Sequence, residues 1–275
     1  MKLNIIGAGH VGQVFGHLLA RRAGWEVQDV MNRSMASGLH AVNFIGSGTA
    51  IDNWAALRPA EVTMLSVNDE QIVTCCEQLM AHHLLDNSIV FHCSGALASS
   101  ALASAHEHGC ALASVHPIRS FADPHEVLAD FDGTYCGLEG DERALALLQP
   151  TMQQIGARCV VIDPAAKTLY HAAAVFACNY LTTLIDVALR TYMAAGISEA
   201  QAYELAQPLV QQTLSNIFRL GPAQALSGPV ARGDWSTVER HQHAVDAWDP
   251  AAGQLYHVLT AHTAHLAARK PRRKF

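Results

Sequence analysis

The chain has 275 residues, of which 50% are hydrophobic, 15% charged and 7% aromatic. That is enough apolar material for two packed cores, and it excludes a disordered or collagen-like chain. The formal charge is −6, but five of the 18 Lys and Arg residues sit in the last seven positions, leaving 13 basic against 24 acidic residues before them, a balance that repels nucleic acid and anionic membrane surfaces.

Up to about residue 160, short apolar runs alternate with helix-like stretches. The runs are Leu3–Ile6, Val27–Met31, Val42–Ile45, Val62–Val67, Ile89–His92, Leu112–His116 and Tyr135–Leu138, and segments such as Gln71–His83 and Glu142–Gln154 lie between them. Strands alternating with helices predict a doubly wound, mostly parallel sheet covered on both faces. From Ala165 onward helical stretches follow one another, broken at Gly196, Gly221-Pro222 and Gly228-Pro229. Asp163-Pro164 marks the expected boundary, because proline disfavours helix in the residue before it. The expectation is therefore an α/β Rossmann-like domain over residues 1–163 and an all-α domain over residues 164–275.

The opening MKLNIIGAGH passes straight into a strand, without the apolar region of a secretory signal. Seven scattered cysteines without a CxxC pair suit a reducing cytoplasm. The stretch His171–Gly196 is apolar, but His171, Asn179, Thr182, Thr183, Asp186 and Arg190 gather within roughly 120° of a helical wheel. Such a stripe suits a central helix of a soluble domain better than a membrane span. The basic end (Arg269, Lys270, Arg272, Arg273, Lys274) reads as a short solvated tail.

Gly7-Ala8-Gly9-His10-Val11-Gly12 stands between a strand and a helix. In that setting a GxGxxG gives a tight turn, a close approach of backbone to a pyrophosphate, and a helix N-terminus aimed at the anion. An NAD site carries an acid at the tip of the second strand. Here the tip reads Asn32-Arg33-Ser34, which suits the 2′-phosphate of NADP and makes NAD the lesser expectation.

Three further strand ends are polar, and ligands of doubly wound sheets bind beyond such ends. Ser66-Val67 and Ser94 are expected beside the nicotinamide, with Gly95, His116 and Arg232 on the substrate. Apart from Lys2 and two tail lysines, Lys167 is the only lysine, with His171 at i+4 and Asn179 further along the helix. Lys167 or His171 would supply the proton that accompanies hydride transfer, and Asn179 would orient the substrate. The histidine pairs form no HExxH or CxxC set, so no metal is expected.

The motifs Ile6–Gly12, Asn32–Ser34, His92–Gly95, HPIRSFAD (His116–Asp123), YHAAAVFACN (Tyr170–Asn179) and Ala225–Asp234 resemble a bacterial family. That family joins a Rossmann-like NADP-binding domain to a helical C-terminal domain of unknown function and is described as oxidoreductases. The layout is similar, more distantly, to 6-phosphogluconate and β-hydroxyacid dehydrogenases, ketopantoate reductase, pyrroline-5-carboxylate reductase and the deazaflavin-dependent NADP reductases. In several of these a lysine on the first long C-terminal helix, with an asparagine one turn later, performs the proton transfer. Here Lys167 matches the lysine, but His171 occupies i+4 and Asn179 follows three turns on. The resemblance implies a homodimer through the helical domain. The sequence thus predicts an NADP(H)-dependent oxidoreductase acting on a small, anionic carbonyl, hydroxy or imine compound. A non-catalytic NADP-binding sensor that meets a protein partner is the alternative.

Overall fold

A computed structural model describes residues 1–269, so four of the tail cations, Lys270, Arg272, Arg273 and Lys274, lie outside the described residues. The elements begin β1 (Lys2–Ile6), α1 (His10–Arg22), β2 (Glu26–Met31), α2 (Met35–Ile45), β3 (Thr49–Ile51), β4 (Val62–Leu65), α3 (Asp69–Ala81), β5 (Ile89–His92) and β6 (Ala111–Pro117). They continue with α4 (Pro124–Ala129), β7 (Tyr135–Gly140), α5 (Glu142–Gln154), β8 (Arg158–Val161) and α6 (Lys167–Val175). The strands form one sheet in the order β3-β2-β1-β4-β5-β6-β7-β8. Every neighbouring pair is parallel except β6–β7. Strands such as β4, buried at all four positions, are apolar on both faces because two separate cores cover them. One core gathers Phe15, Val14 and Leu148, the other Ile72, Leu79 and Leu102. The expected doubly wound architecture is therefore present.

One expected strand is a helix. Val42–Ile45 forms the last turns of α2, which begins where Ser34 Oγ accepts from the Ser37 N–H and stops at Gly46 with φ of 76°. A cap and a left-handed stop three turns apart outweigh four consecutive apolar residues. Gly38, Ala41 and Ile45 are its buried positions, at helical spacing. The third strand is the shorter β3, which pairs with β2 from Asp29 to Met31.

The chain divides into two compact units, Met1–Cys178 and Asn179 onward. The expected boundary at Asp163-Pro164 differs from this division because α6 is anchored in the first unit: Lys167 bonds to Ser114 and Glu139, and Tyr170 to His116. A π-helical turn, Phe176–Tyr180, follows α6. It shifts the helical register, so His171 and Arg190 do not lie on one straight wheel.

The second unit contains α7 (Leu181–Ala194), α8 (Glu199–Leu220), α9 (Pro222–Ala225), α10 (Pro229–Arg232), α11 (Trp235–Trp248) and α12 (Pro250–Ala268). Its interruptions fall where the sequence indicates. Its apolar interior is small, centred on Leu189, Ala202 and Ala206. Arg190 pairs with Asp186 at 3.0 Å and Asp249 at 3.1 Å. Among the described residues, one helical stretch, Pro164–Ala194, is long and apolar enough to cross a membrane.

Candidate active site

The phosphate loop is built by close approach. Gly7 has φ of 82°, and a Cβ there would collide with Val67. A Cβ on Gly12 would collide with Ser66 Oγ, which itself donates to the Gly7 carbonyl at 2.7 Å. Gly9 differs: a Cβ there would meet nothing within 4 Å, so this stretch of backbone is open to an approaching ligand. Gly9 also begins α1 without a capping side chain, which leaves the orphan N–H groups of the first turn available to an anion.

These groups border a cavity of about 850 Å³ lined by Gly7, Gly9, Asn32, Arg33, Ser66 and Val67, among others. Its volume is in the range of cofactor pockets. Together with the glycine cradle it fits a dinucleotide. Of the expected phosphate readers, Arg33 lines the cavity and is exposed. Asn32 has a different task, since its Oδ1 accepts from the Ala8 N–H at 2.6 Å and shapes the phosphate loop. Ser34 is the α2 cap and does not line the cavity, whereas Ser37 and His40 on α2 do. Asp29 is buried in β2 and clamped by Arg58, so it is not a ribose ligand.

A second, smaller cavity of about 210 Å³ shares Ser66 and Val67 with the first and adds Val11, Ser94, Gly95, His116 and His171. Gly95 is its pivot. A Cβ there would collide with His171 Nδ1 and lie 2.7 Å from His116 Nε2, so both imidazoles converge on bare backbone. His116 Nδ1 shares a hydrogen bond of 2.9 Å with the Tyr170 hydroxyl. Burial, with His171 and Lys167 adding to it, pushes His116 down to about 4, so this ring is neutral at pH 7. Burial raises Tyr170 to about 12. His171 Nδ1 is buried with no hydrogen-bond partner, an arrangement that costs about 1–3 kcal/mol unless a ligand completes it.

Lys167 does not line either cavity. It is 1% exposed, its Nζ donates to Ser114 Oγ, and it pairs with Glu139 Oε1 at 3.2 Å. Burial lowers its pKa, and Glu139 pulls it back up. Ser114 Oγ donates to the Ser94 carbonyl at 3.3 Å, so the buried pair supports the Ser94–Gly95 turn from behind. Ser94 Oγ accepts from the Ala96 and Leu97 N–H groups. His10 donates from Nδ1 to the Phe121 carbonyl at 2.5 Å, which ties the phosphate loop to the loop after β6. Asn179, whose carbonyl accepts from Thr183 Oγ1 at 3.2 Å, is exposed in the π turn. Arg232 is exposed at the end of α10. Both belong to the second unit.

Residues 1–117 match the family of Rossmann-like domains, and residues 134–263 match a domain of unknown function, DUF2520. The chain joins a Rossmann-like domain to a DUF2520 domain. Among solved structures, the protein TM1727 of Thermotoga maritima is 28% identical, with a TM-score of 0.75 over 98% of this chain and 100% of that one. A Bacteroides fragilis protein, BF3122, provisionally named an NADP oxidoreductase, is 20% identical, with a TM-score of 0.78 over 96% and 98%. A reductive aminase of Aspergillus terreus, solved with NADPH and ethyl levulinate, is 14% identical, with a TM-score of 0.65 over 98% and 99%. The fold is thus shared with these three structures. No curated protein matches significantly.

The DUF2520 segment supplies Tyr170 and His171, and the Rossmann-like segment supplies Gly95 and His116. All four stand in the first compact unit. Sequence reasoning passed over Ser37, His40 and Glu139, and met Asp69 and Tyr170 only inside motifs, the polar end Ser66–Asp69 and YHAAAVFACN, without giving either a role. Ser37, His40 and Glu139 are brought to the site by folding across separate elements.

Proposed function

We propose that this protein is an NADP(H)-dependent oxidoreductase that moves a hydride to or from a small carbonyl, hydroxy or imine compound. The observation that carries the reading is the unpartnered Nδ1 of His171 packed beside Gly95, both residues lining a small cavity that shares Ser66 and Val67 with the dinucleotide-sized one. When bound, the nicotinamide dinucleotide supplies or accepts the hydride. The first turn of α1 holds the diphosphate, and Arg33, Ser37 and His40 take the 2′-phosphate. Asn32 acts one step back, by fixing the loop through Ala8.

His171 carries the proton to or from the substrate heteroatom, because it lines the small cavity and its Nδ1 has no partner of its own. His116, neutral and held by Tyr170, hydrogen-bonds the same substrate group. Lys167 is a positioning residue in this reading, since Ser114 and Glu139 occupy its ammonium. Asn179 and Arg232 have no role in it. Arg119, which lines the small cavity, is bound to Asp130 and Thr134 and holds no substrate group in this reading.

We infer a second copy of this chain as the partner of the helical unit. That unit has a very small interior while Phe218 is 87% and Leu209 59% exposed, and exposed apolar surface of this kind marks an interface. All seven cysteines are free, which supports a cytoplasmic location. Light scattering during size exclusion tests the dimer, and a monomeric mass refutes it.

The functional test is a fluorescence titration followed by assay. NADPH is expected to bind ahead of NADH. His171→Ala is expected to abolish turnover of a panel of oxo acids and imines while keeping NADPH binding. Full turnover by His171→Ala would refute the proton carrier. Binding without turnover by the parent protein on any member of the panel would favour a sensor.

A further inference from the structure

The small cavity contains a carboxylate that the proton-carrier reading does not use. Asp69 opens α3 just after β4 and lines the cavity together with His116, Arg119 and His171. It is exposed, and among the described residues it forms no ion pair or hydrogen bond. An acid in the first turn of a helix is by itself ordinary dipole compensation. Asp69, however, faces a cavity whose other polar groups have been spent or lack a partner.

Arg119 is spent: Nη1 donates to the Asp130 carbonyl and to Thr134 Oγ1 at 3.2 Å, and Nη2 donates to Asp130 Oδ2 at 3.1 Å. Lys167 is enclosed with Glu139. His116 is neutral at pH 7 and has Nδ1 on Tyr170. His171 Nδ1 is buried and unpartnered. The cavity wall formed by the first unit therefore offers one carboxylate without an ion-pair or hydrogen-bond partner and one imidazole nitrogen awaiting a hydrogen-bond partner. An anionic acid would be repelled by the first of these. A protonated C=N group satisfies both.

Resting on the hydride-transfer reading, we propose that the substrate is an imine that reacts as its iminium cation and departs as an amine, and that Asp69 selects it by charge. The imine nitrogen takes a proton from His171, and the neighbouring carboxylate favours the cationic form. The reduced dinucleotide, when bound, would supply the hydride to the carbon, and the C=N π pair would become the nitrogen lone pair. The imidazole recovers its proton from water, so the net change is one hydride and one proton added across C=N. The product amine takes a further proton from water and leaves as ammonium. Removing the charge of a partly exposed carboxylate that also accepts a charge-assisted hydrogen bond corresponds to roughly a tenfold loss in affinity.

The test uses full-length protein in low-salt calorimetry. NADP⁺ is titrated first, then either pyrrolidine, a cation at pH 7, or cyclopentanecarboxylate, an anion of similar size. Pyrrolidine is expected to bind the NADP⁺-loaded protein at least tenfold more tightly than cyclopentanecarboxylate. Asp69→Asn is expected to weaken pyrrolidine about tenfold, and Asp69→Glu to retain the preference. No heat with NADP⁺ would defeat the cofactor reading itself. NADP⁺ heat followed by none with pyrrolidine, equal binding of the two rings, or an Asp69→Asn protein that binds pyrrolidine as the parent does would overturn the amine proposal alone.

Discussion

Replacing Glu139 with Leu isolates the energetics beneath the candidate site. The Glu139 and Lys167 side chains are 2% and 1% exposed and meet at 3.2 Å. Both carboxylate oxygens are also used by Ser99, which donates from its backbone N–H and its hydroxyl at 2.7 Å each. Exposed ion pairs contribute about 0–1 kcal/mol, whereas removing one partner of a buried pair costs about 3–5 kcal/mol because the other charge is left uncompensated. The expected loss for Glu139→Leu is therefore about 4 kcal/mol. Adding Lys167→Met is expected to recover about half of that loss or more, since no stranded ammonium then remains. Urea unfolding followed by circular dichroism gives both numbers.

The pH dependence of that loss has a definite sign. Burial already holds Lys167 below the ordinary 10.5, with Glu139 opposing. Without Glu139 the folded-state value falls further, so the unfolded chain binds more protons, and the stability of the variant rises with pH up to about 10.5. Its deficit relative to the parent narrows only between the folded-state values of the variant and the parent, because above the latter both rise alike. A loss below about 1 kcal/mol, or a double variant no more stable than Glu139→Leu, would refute the reasoning.

Gly95→Ala is expected to displace both imidazoles, since the added Cβ strikes His171 Nδ1 and crowds His116 Nε2; turnover falls by about a hundredfold or more while NADPH titration still saturates. Unchanged turnover would show that neither ring is needed where it stands. Arg33→Ala is expected to cut the preference for NADPH over NADH by about tenfold, in line with roughly 1.5 kcal/mol for a charge-assisted contact, measured by fluorescence titration. His92 and His116 are both held near 4 by burial, so the folded state binds fewer protons than the unfolded one. Stability is then expected to fall as pH drops from about 6.5 to 4, by up to about 3 kcal/mol for each ring. Urea midpoints that do not change between pH 7 and 4.5 would contradict this.

The sheet was legible because a buried strand carries a continuous apolar run, and six of the eight strands left such a trace. Val42–Ile45 misled for the same reason: four apolar residues look alike in a strand and in the last turns of a helix, and only the Ser34 cap with the Gly46 stop distinguishes them. The phosphate loop was legible because its glycines answer to local backbone geometry. The rest of the site was not, because its chemistry depends on partners distant in sequence. Lys167 attracted notice as a lone lysine, yet its environment is set by Ser114 and Glu139, residues 53 and 28 positions away. Asn32 has a suitable side chain for a phosphate, but Ala8 holds its oxygen. Sequence shows which groups are present; folding decides which of them are already engaged.

The contact between His10 and the Phe121 carbonyl has a thermodynamic corollary. His10 begins the helix whose first turn receives the diphosphate, and Phe121 belongs to the wall of the small cavity. In the proposed reading this bond links the rims of the two compartments, so each ligand should alter the affinity of the other by the same factor.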